Sequence, residues 1–520
     1  MIVPAAPFQP VPMLILASPL DSELLVFLEG AHRLIEGCPS LVVRVESELD
    51  AHGRAKKALR LADAEWKAAR SLPLPGQVIP PAAVDAAQLR LLKGRPRTSG
   101  YVVLMAMLLR GYFGAGFKAS DVTTMMVESI TLHVFLTNLD MTMPGRSTLT
   151  ELINVVSNET RCLILDAQCA QALRLGLDDF STMLQDSTHV AGNTAWPTDS
   201  RTMVALATRA LRVGASLARV HLPVIRSHKA SGHLGAMVGL DREIDMSKGK
   251  VDRTRLRRRR YEKLLWRARR LLGILRDEIV SVEAALGSLD VRPSEQAVAA
   301  RAVARLRADI EALAKVISHC EARIVDETKV PMAEKILSVS DPDVGFIAKG
   351  QRDPVIGYKP QIARSGAGFI TGLLLPRGNA SDSGQLVPMV DEVARRTGVV
   401  PSVLSVDDGY ASQANMDAMK ARGMKVISIN GSKGKALTAR ADWTSDAYVE
   451  ARDMRSAVES LMFTIKQGFN FGEVARRGLD AVHGELLEKA IAYNLCHAAR
   501  IVARTASPRA VDEDSIPRAA

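Results

Sequence analysis

In LDSELLVFLEGAHRLI the apolar side chains recur at helical intervals, and the charged run HGRAKKALRLADAEWKAARS after it keeps a helix-forming composition. Residues 1–95 therefore read as an all-helical N-terminal region, closed by the Pro-rich connector LPLPGQVIPP. Residues 96–178 read as helical again: SDVTTMMVESITLHVFL, a turn through MTMPGRS, then TLTELINVVSNETRCLILDAQCAQAL. Thr148 and Glu151 have the spacing of a capping box and mark the expected start of that last helix. Two helices about a turn are also the layout of a helix-turn-helix DNA reader, although this turn exceeds the roughly 3–4 residues usual there. An ordinary helical packing module fits equally.

Residues 251–326 stand apart. VDRTRLRRRRYEKLLWRARR holds ten basic residues against two acidic ones and leads into LLGILRDEIVSVEAALG, with helical apolar spacing. After SLDVRPSE, the positions Ala299, Val303, Leu306, Ile310, Leu313, Ile317, Cys320 and Ile324 alternate steps of four and three, the seam of a coiled coil. The pattern predicts an antiparallel helical hairpin inserted into another domain. Arg257, Arg258, Arg259 and Arg260 at its base are candidate phosphate contacts, with a solvated helix face as the other use of such arginines.

Around the insertion, GFIAKG, PVIGYKPQIARSGAGFITGLLLPRG, VVPSVLSVDDGY and MKVISIN are β-branched and apolar runs bounded by Gly and Pro. They alternate with helical patterns such as GQLVPMVDEVARRTG and ASQANMDAMKARG, so the expected fold class is α/β, a mixed sheet with flanking helices. Asp407 stands where the apolar run VLSV ends, and strand ends facing a crevice are where α/β proteins place ligands. Asp408 would point the other way. In MLQDSTHVAGNTAWPTDSRTM, loop-forming residues surround Asp186 and Asp199. Asp199 and Asp382 each precede a helical pattern and are placed to cap it. In DMRSAVESLMFTIKQGFNF, Arg455, Glu459 and Lys466 are four and eleven positions apart. At ~100° per residue they lie within about 40° of one another, so one helix face presents base, acid, base. A surface i, i+4 ion pair is the plainer reading of the first two.

Composition narrows the classes. A chain of 520 residues with 47% hydrophobic and 24% charged residues is globular, with room for several domains. A net charge of +11 favours polyanionic partners. The apolar run at 101–109 is far short of the ~20 residues that span a bilayer, and the N-terminal stretch lacks a basic region and is broken by prolines, unlike a secretory signal. The expected location is the cytoplasm, with no membrane partner. Five scattered cysteines and ten dispersed histidines form no thiolate or paired-His metal pattern, so a metal here would be a hard cation on carboxylates.

Three motifs in order carry a resemblance: DST with WPTDS, DDGYAS with Asn415 five residues beyond Tyr410, and R-(3)-E-(6)-K in RSAVESLMFTIK. Together they resemble the DDE transposases of bacterial insertion sequences, over roughly residues 100–505 and including the closing segments RRGLDAV and AIAYNL. One position departs from the pattern: a Tyr usually stands three before the Arg, and here it is Arg452. The resemblance implies an RNase H-like catalytic core built from residues 179–250 and 327–505, a candidate DNA-binding domain over 96–178 and a tail at 506–520. It implies Asp186, Asp407 and Glu459 as catalytic carboxylates holding two Mg²⁺ (or Mn²⁺) ions, with Arg455 and Lys466 on the DNA backbone and Lys349, Lys433 and Lys435 as weaker phosphate contacts. The implied partners are double-stranded DNA, both terminal inverted repeats and target, and further copies of the chain in a synaptic complex at the nucleoid. The implied reaction uses water to expose a 3′-hydroxyl, which then attacks a target phosphodiester. A nuclease that cuts without joining, and a transposase-derived DNA-binding protein without catalysis, share the same residues.

Overall fold

The computed structural model describes residues 19–70, 98–114, 145–223, 228–246, 254–348 and 353–506, with isolated positions between 121 and 135. The connector at 72–81, residues 141–144 of the MTMPGRS turn in the helix-turn-helix expectation, and Lys349 lie outside the described residues. The chain divides into two compact units. The first comprises Met1–Asp50, Thr98–Asn193 and Ile347–Ala520, the second Ala51–Arg97 and Thr194–Phe346.

The first unit is built on a mixed sheet. Its strands are β1 (Thr182–Ser187), β5 (Gln361–Ser365), β6 (Ile370–Leu374), β7 (Val403–Asp407) and β8 (Val426–Asn430), and the short strands β2 (Val190–Ala191), β3 (Gly345–Ile347) and β4 (Val355–Tyr358) lie outside it. The order across the five-stranded sheet is β6-β5-β1-β7-β8, with β1, β7 and β8 parallel and β5 and β6 antiparallel. Side chains alternate along a strand, so Met183, Leu404, Val406, Ile427 and Ile429 share one face. Helices Leu386–Thr397 and Gln413–Ala421 cover it with Leu386, Met389, Val390, Val393, Met416 and Met419. Helices Asp446–Asp453 and Arg455–Gly468 pack against β8, β7 and β1 outside that cluster, on the opposite face.

The helix Gly100–Phe113 carries the apolar run at 101–109, all of it buried, and packs along the C-terminal helix Leu479–Ala506. A Cβ at Gly111 would come 2.3 Å from the Glu488 carbonyl oxygen, so the close approach of these helices requires glycine there. Among the described residues no helix is long and apolar enough to cross a membrane. The segment expected as one helix from Thr148 is two, Arg146–Val155 and Asn158–Arg174. Thr148 lies inside the first, whose N-cap position, Gly145, makes no side-chain cap. Ser157 breaks the run: its hydroxyl accepts from the Thr160 N–H and donates to Glu48 at 2.6 Å.

The second unit is helical. Its hairpin arms are Thr254–Gly287 and Pro293–Ile324, and Ala299, Val303, Leu306, Ile310, Leu313, Ile317 and Cys320 are buried along the seam. Helices Asp199–Ser216 and His228–Met246 pack on the arms, so residues from Thr194 onward group with the hairpin and not with the sheet, unlike the expected 179–250 division. Asp309, fully buried, receives Arg209 through two 2.9 Å hydrogen bonds. Thr198, not Asp199, caps its helix, accepting from the Arg201 N–H. Asp199 occupies the first turn, where the helix dipole favours an acid, and pairs with Arg323 at 2.8 Å.

Candidate active site

β1 and β7 run parallel with Thr182 opposite Val403, Met183 opposite Leu404 and Leu184 opposite Ser405. The paired register ends there, and continuing its offset by two residues along both strands brings Asp186 level with Asp407. Residues level with each other on neighbouring strands project to the same face, and the strands are about 4.7–4.9 Å apart. The two aspartates thus stand side by side at the ends of adjacent strands. The loop-like composition around Asp186 hides a strand: Leu184, Gln185, Asp186 and Ser187 are all buried. Asp186 Oδ1 accepts from the Ser187 N–H at 2.6 Å, and Asp407 Oδ1 from the Gly409 N–H at 2.9 Å, which fixes the turn after β7.

Asp408 points away and has structural work. Its Oδ1 accepts from the N–H groups of Lys433 and Gly434, both at 2.9 Å, at the start of the short helix Ser432–Leu437. Lys433 and Lys435 are exposed on that helix.

A buried polar cluster adjoins the aspartate pair, and sequence reasoning did not find it. Asp382 makes no side-chain cap. Its Oδ2 instead pairs with Lys359 Nζ at 2.8 Å, and its Oδ1 accepts from Gln361 Nε2 at 2.7 Å. Gln361 Oε1 accepts from the Tyr410 hydroxyl and from Gln185 Nε2 at 3.2 Å. A Cβ on Gly409 would lie 3.0 Å from Asp407 Oδ1 and 3.3 Å from Asp382 Oδ2, so both carboxylates crowd the same glycine. Tyr410 is fully buried; burial pushes its hydroxyl pKa well up, and the carboxylates of Asp382, Asp186 and Asp407 push it further. Asn415 fastens this turn, donating to the carbonyls of Tyr410 at 2.8 Å and Ser383 at 2.9 Å. The available signal was KPQ before β5, polar residues at a strand start.

Glu459 lies on the helix Arg455–Gly468, which packs across β1 and β7 through Val458, Leu461, Met462 and Ile465. Its side chain is 59% exposed and paired with Arg455 at 3.2 Å. Lys466 is half-buried farther along, and Phe463, one turn beyond Glu459, is 69% exposed. Arg452 is half-buried beside Asp453 at 3.5 Å.

Two carboxylates side by side fit a hard divalent cation, since Mg²⁺ is commonly held by one or two carboxylates with water and substrate phosphate completing its shell. Among the described residues no group of three or more His, Cys, Asp or Glu is gathered closely enough to hold a metal, so Glu459 stands apart from the pair in this conformation.

At the hairpin base, Arg258 pairs with Glu262 and Glu327, Arg260 with Glu243, and Arg257 lies over the Tyr261 ring at 5.8 Å. Arg259 is exposed.

Residues 320–495 match the family model for the transposase DDE domain. The match takes in Asp407 and Glu459 and begins after Asp186, and it supports a transposase-type function. No curated protein and no solved structure matches the chain.

Proposed function

We propose that the chain is a DDE transposase of an insertion sequence, with an RNase H-like core, that cuts DNA at transposon ends and joins the freed strand to target DNA. The observation that carries this reading is the level placement of Asp186 and Asp407 on β1 and β7, beneath the helix bearing Glu459 and within a chain that matches the transposase DDE domain. The mixed sheet with flanking helices supports the RNase H-like core.

Asp186 and Asp407 would supply oxygen ligands for Mg²⁺ or Mn²⁺, and Glu459 would join them if Arg455 turned to a phosphate. Bound ions of this kind activate the attacking oxygen and stabilise the leaving one. Lys359 offsets the charge of Asp382, which keeps the acid count from repelling a phosphodiester, and Gln361 and Tyr410 hold that pair in place. Arg455 and Lys466 contact the backbone beside the scissile bond, and a synaptic complex of several copies holds the two ends.

The test uses duplexes labelled at the ends of the DNA bracketing the gene, with Mg²⁺. Replacing Asp186, Asp407 or Glu459 singly by Ala should cut end cleavage by about 100-fold or more, the several kcal/mol such sites supply, while DNA binding persists. Full cleavage by Asp186→Ala would overturn the triad. Cleavage without strand-transfer products from the wild type would favour the nuclease.

A further inference from the structure

The hairpin's first arm carries a cationic face that internal ion pairs leave open. At ~100° per residue, Arg255, Arg259, Lys263, Trp266 and Arg270 fall within about 80° of one another, and at ~1.5 Å per residue the stripe is about 22 Å long. All five are exposed, Trp266 at 48%. Among the described residues none of these four cations is paired with a carboxylate, whereas Arg258, Arg260 and Arg269 on other faces are bound to Glu262, Glu327, Glu243 and Glu321. Glu262, the acid within this stretch, pairs with Arg258 and not with a cation of the stripe. Trp266 is held in place at the centre of the stripe: the guanidinium carbons of Arg267 and Arg270 lie 4.8 and 5.7 Å from its ring, and His233 meets it edge-on at 5.8 Å.

We propose that this face is a docking surface for the backbone of double-stranded DNA, with Trp266 packing against the sugar–phosphate edge or a distorted base step. A duplex presents one negative charge per ~1.7 Å of axis, so a stripe of this length faces enough phosphates to engage every cation on it. A membrane surface fits poorly. An interfacial helix needs a free apolar face, and here Leu264, Leu265, Leu271 and Leu275 are buried in the hairpin core, leaving Leu256, Trp266 and Val280 as scattered apolar exposures on this arm. The choice of DNA as the polyanion rests on the transposase reading above; the cationic face does not.

The test is equilibrium binding of the full-length protein to a random-sequence 30-bp duplex across salt concentrations. The triple variant Arg259→Ala, Lys263→Ala, Arg270→Ala should lose roughly tenfold or more in affinity at low salt and lower the log–log salt slope by about 3, at ~0.9 per phosphate contact. Removing the same charge elsewhere on the hairpin, by Arg276→Ala, Arg301→Ala, Arg305→Ala, should leave the slope within one unit of the wild type. Trp266→Ala should weaken binding several-fold with the slope unchanged. An unchanged slope in the stripe variant, equal losses in both triple variants, or loss of binding to anionic phosphatidylserine vesicles with DNA binding intact would each overturn the proposal. Because the readout is binding alone, it stands whether or not the end-cleavage assay succeeds, so the two readings fail separately.

Discussion

The Tyr410 hydroxyl is cut off from water and donates to Gln361, which in turn binds Asp382 beside the Asp186–Asp407 pair. Tyr410 also follows Gly409, whose N–H binds Asp407 Oδ1, and groups that orient metal ligands from behind typically matter 10- to 100-fold to metal affinity or activity. Tyr410→Phe keeps the ring in its apolar pocket and removes one donor. It should lower end cleavage by about 10- to 100-fold and raise the Mg²⁺ concentration needed for half-maximal rate, with the thermal melt little changed. A drop in rate with no change in Mg²⁺ dependence would remove Tyr410 from the site and leave it a packing residue.

At the scale of elements, what could be read in advance depended on where each element finds its partners. β7 and β8 announce themselves, because VLSV and VISI are short β-branched and apolar runs whose Leu404, Val406, Ile427 and Ile429 line one covered face. β1 does not: Gln185, Asp186 and Ser187 are polar yet buried, and their pairing comes from β5, distant in sequence. The break at Ser157 was equally hidden, since the Glu48 that holds it is 109 residues away. The hairpin seam was legible for the opposite reason, as each arm's periodicity is local. Its ion pair was not. Asp309 sits on the buried side of its helix because Arg209 meets it there, and Asp309→Ala would leave that guanidinium largely unpaired. Removing one partner of a buried pair costs about 3–5 kcal/mol, and Arg209 is 26% exposed, which favours the lower end. Hydrogen exchange should therefore accelerate in helices Asp199–Ser216 and Pro293–Ile324 of this variant while the five-stranded sheet keeps its protection; uniform acceleration would contradict the assignment.

At the scale of the whole first unit, one carboxylate ties distant parts of the chain together. Glu488, 1% exposed on the C-terminal helix, binds Arg110 at 2.7 and 2.8 Å, Arg161 at 2.8 Å and Arg476 at 3.0 Å. Burial works to raise its pKa, but Arg110, Arg476 and Arg161 together outweigh that and hold the carboxyl well below the usual range. A carboxyl depressed on folding adds stability above its unfolded pKa, about 4.3, and loses that share as pH falls toward the folded value. Glu488→Gln leaves these arginines without their central anion, at a cost of about 3–5 kcal/mol near neutral pH. Denaturant unfolding of wild type and variant from pH 7 to pH 3 should show the gap constant above about pH 5 and narrowing below about pH 4.3, because only the wild type must take up the proton on unfolding. A gap that stays constant to pH 3 would mean that Glu488 is not the group whose ionisation holds this unit together.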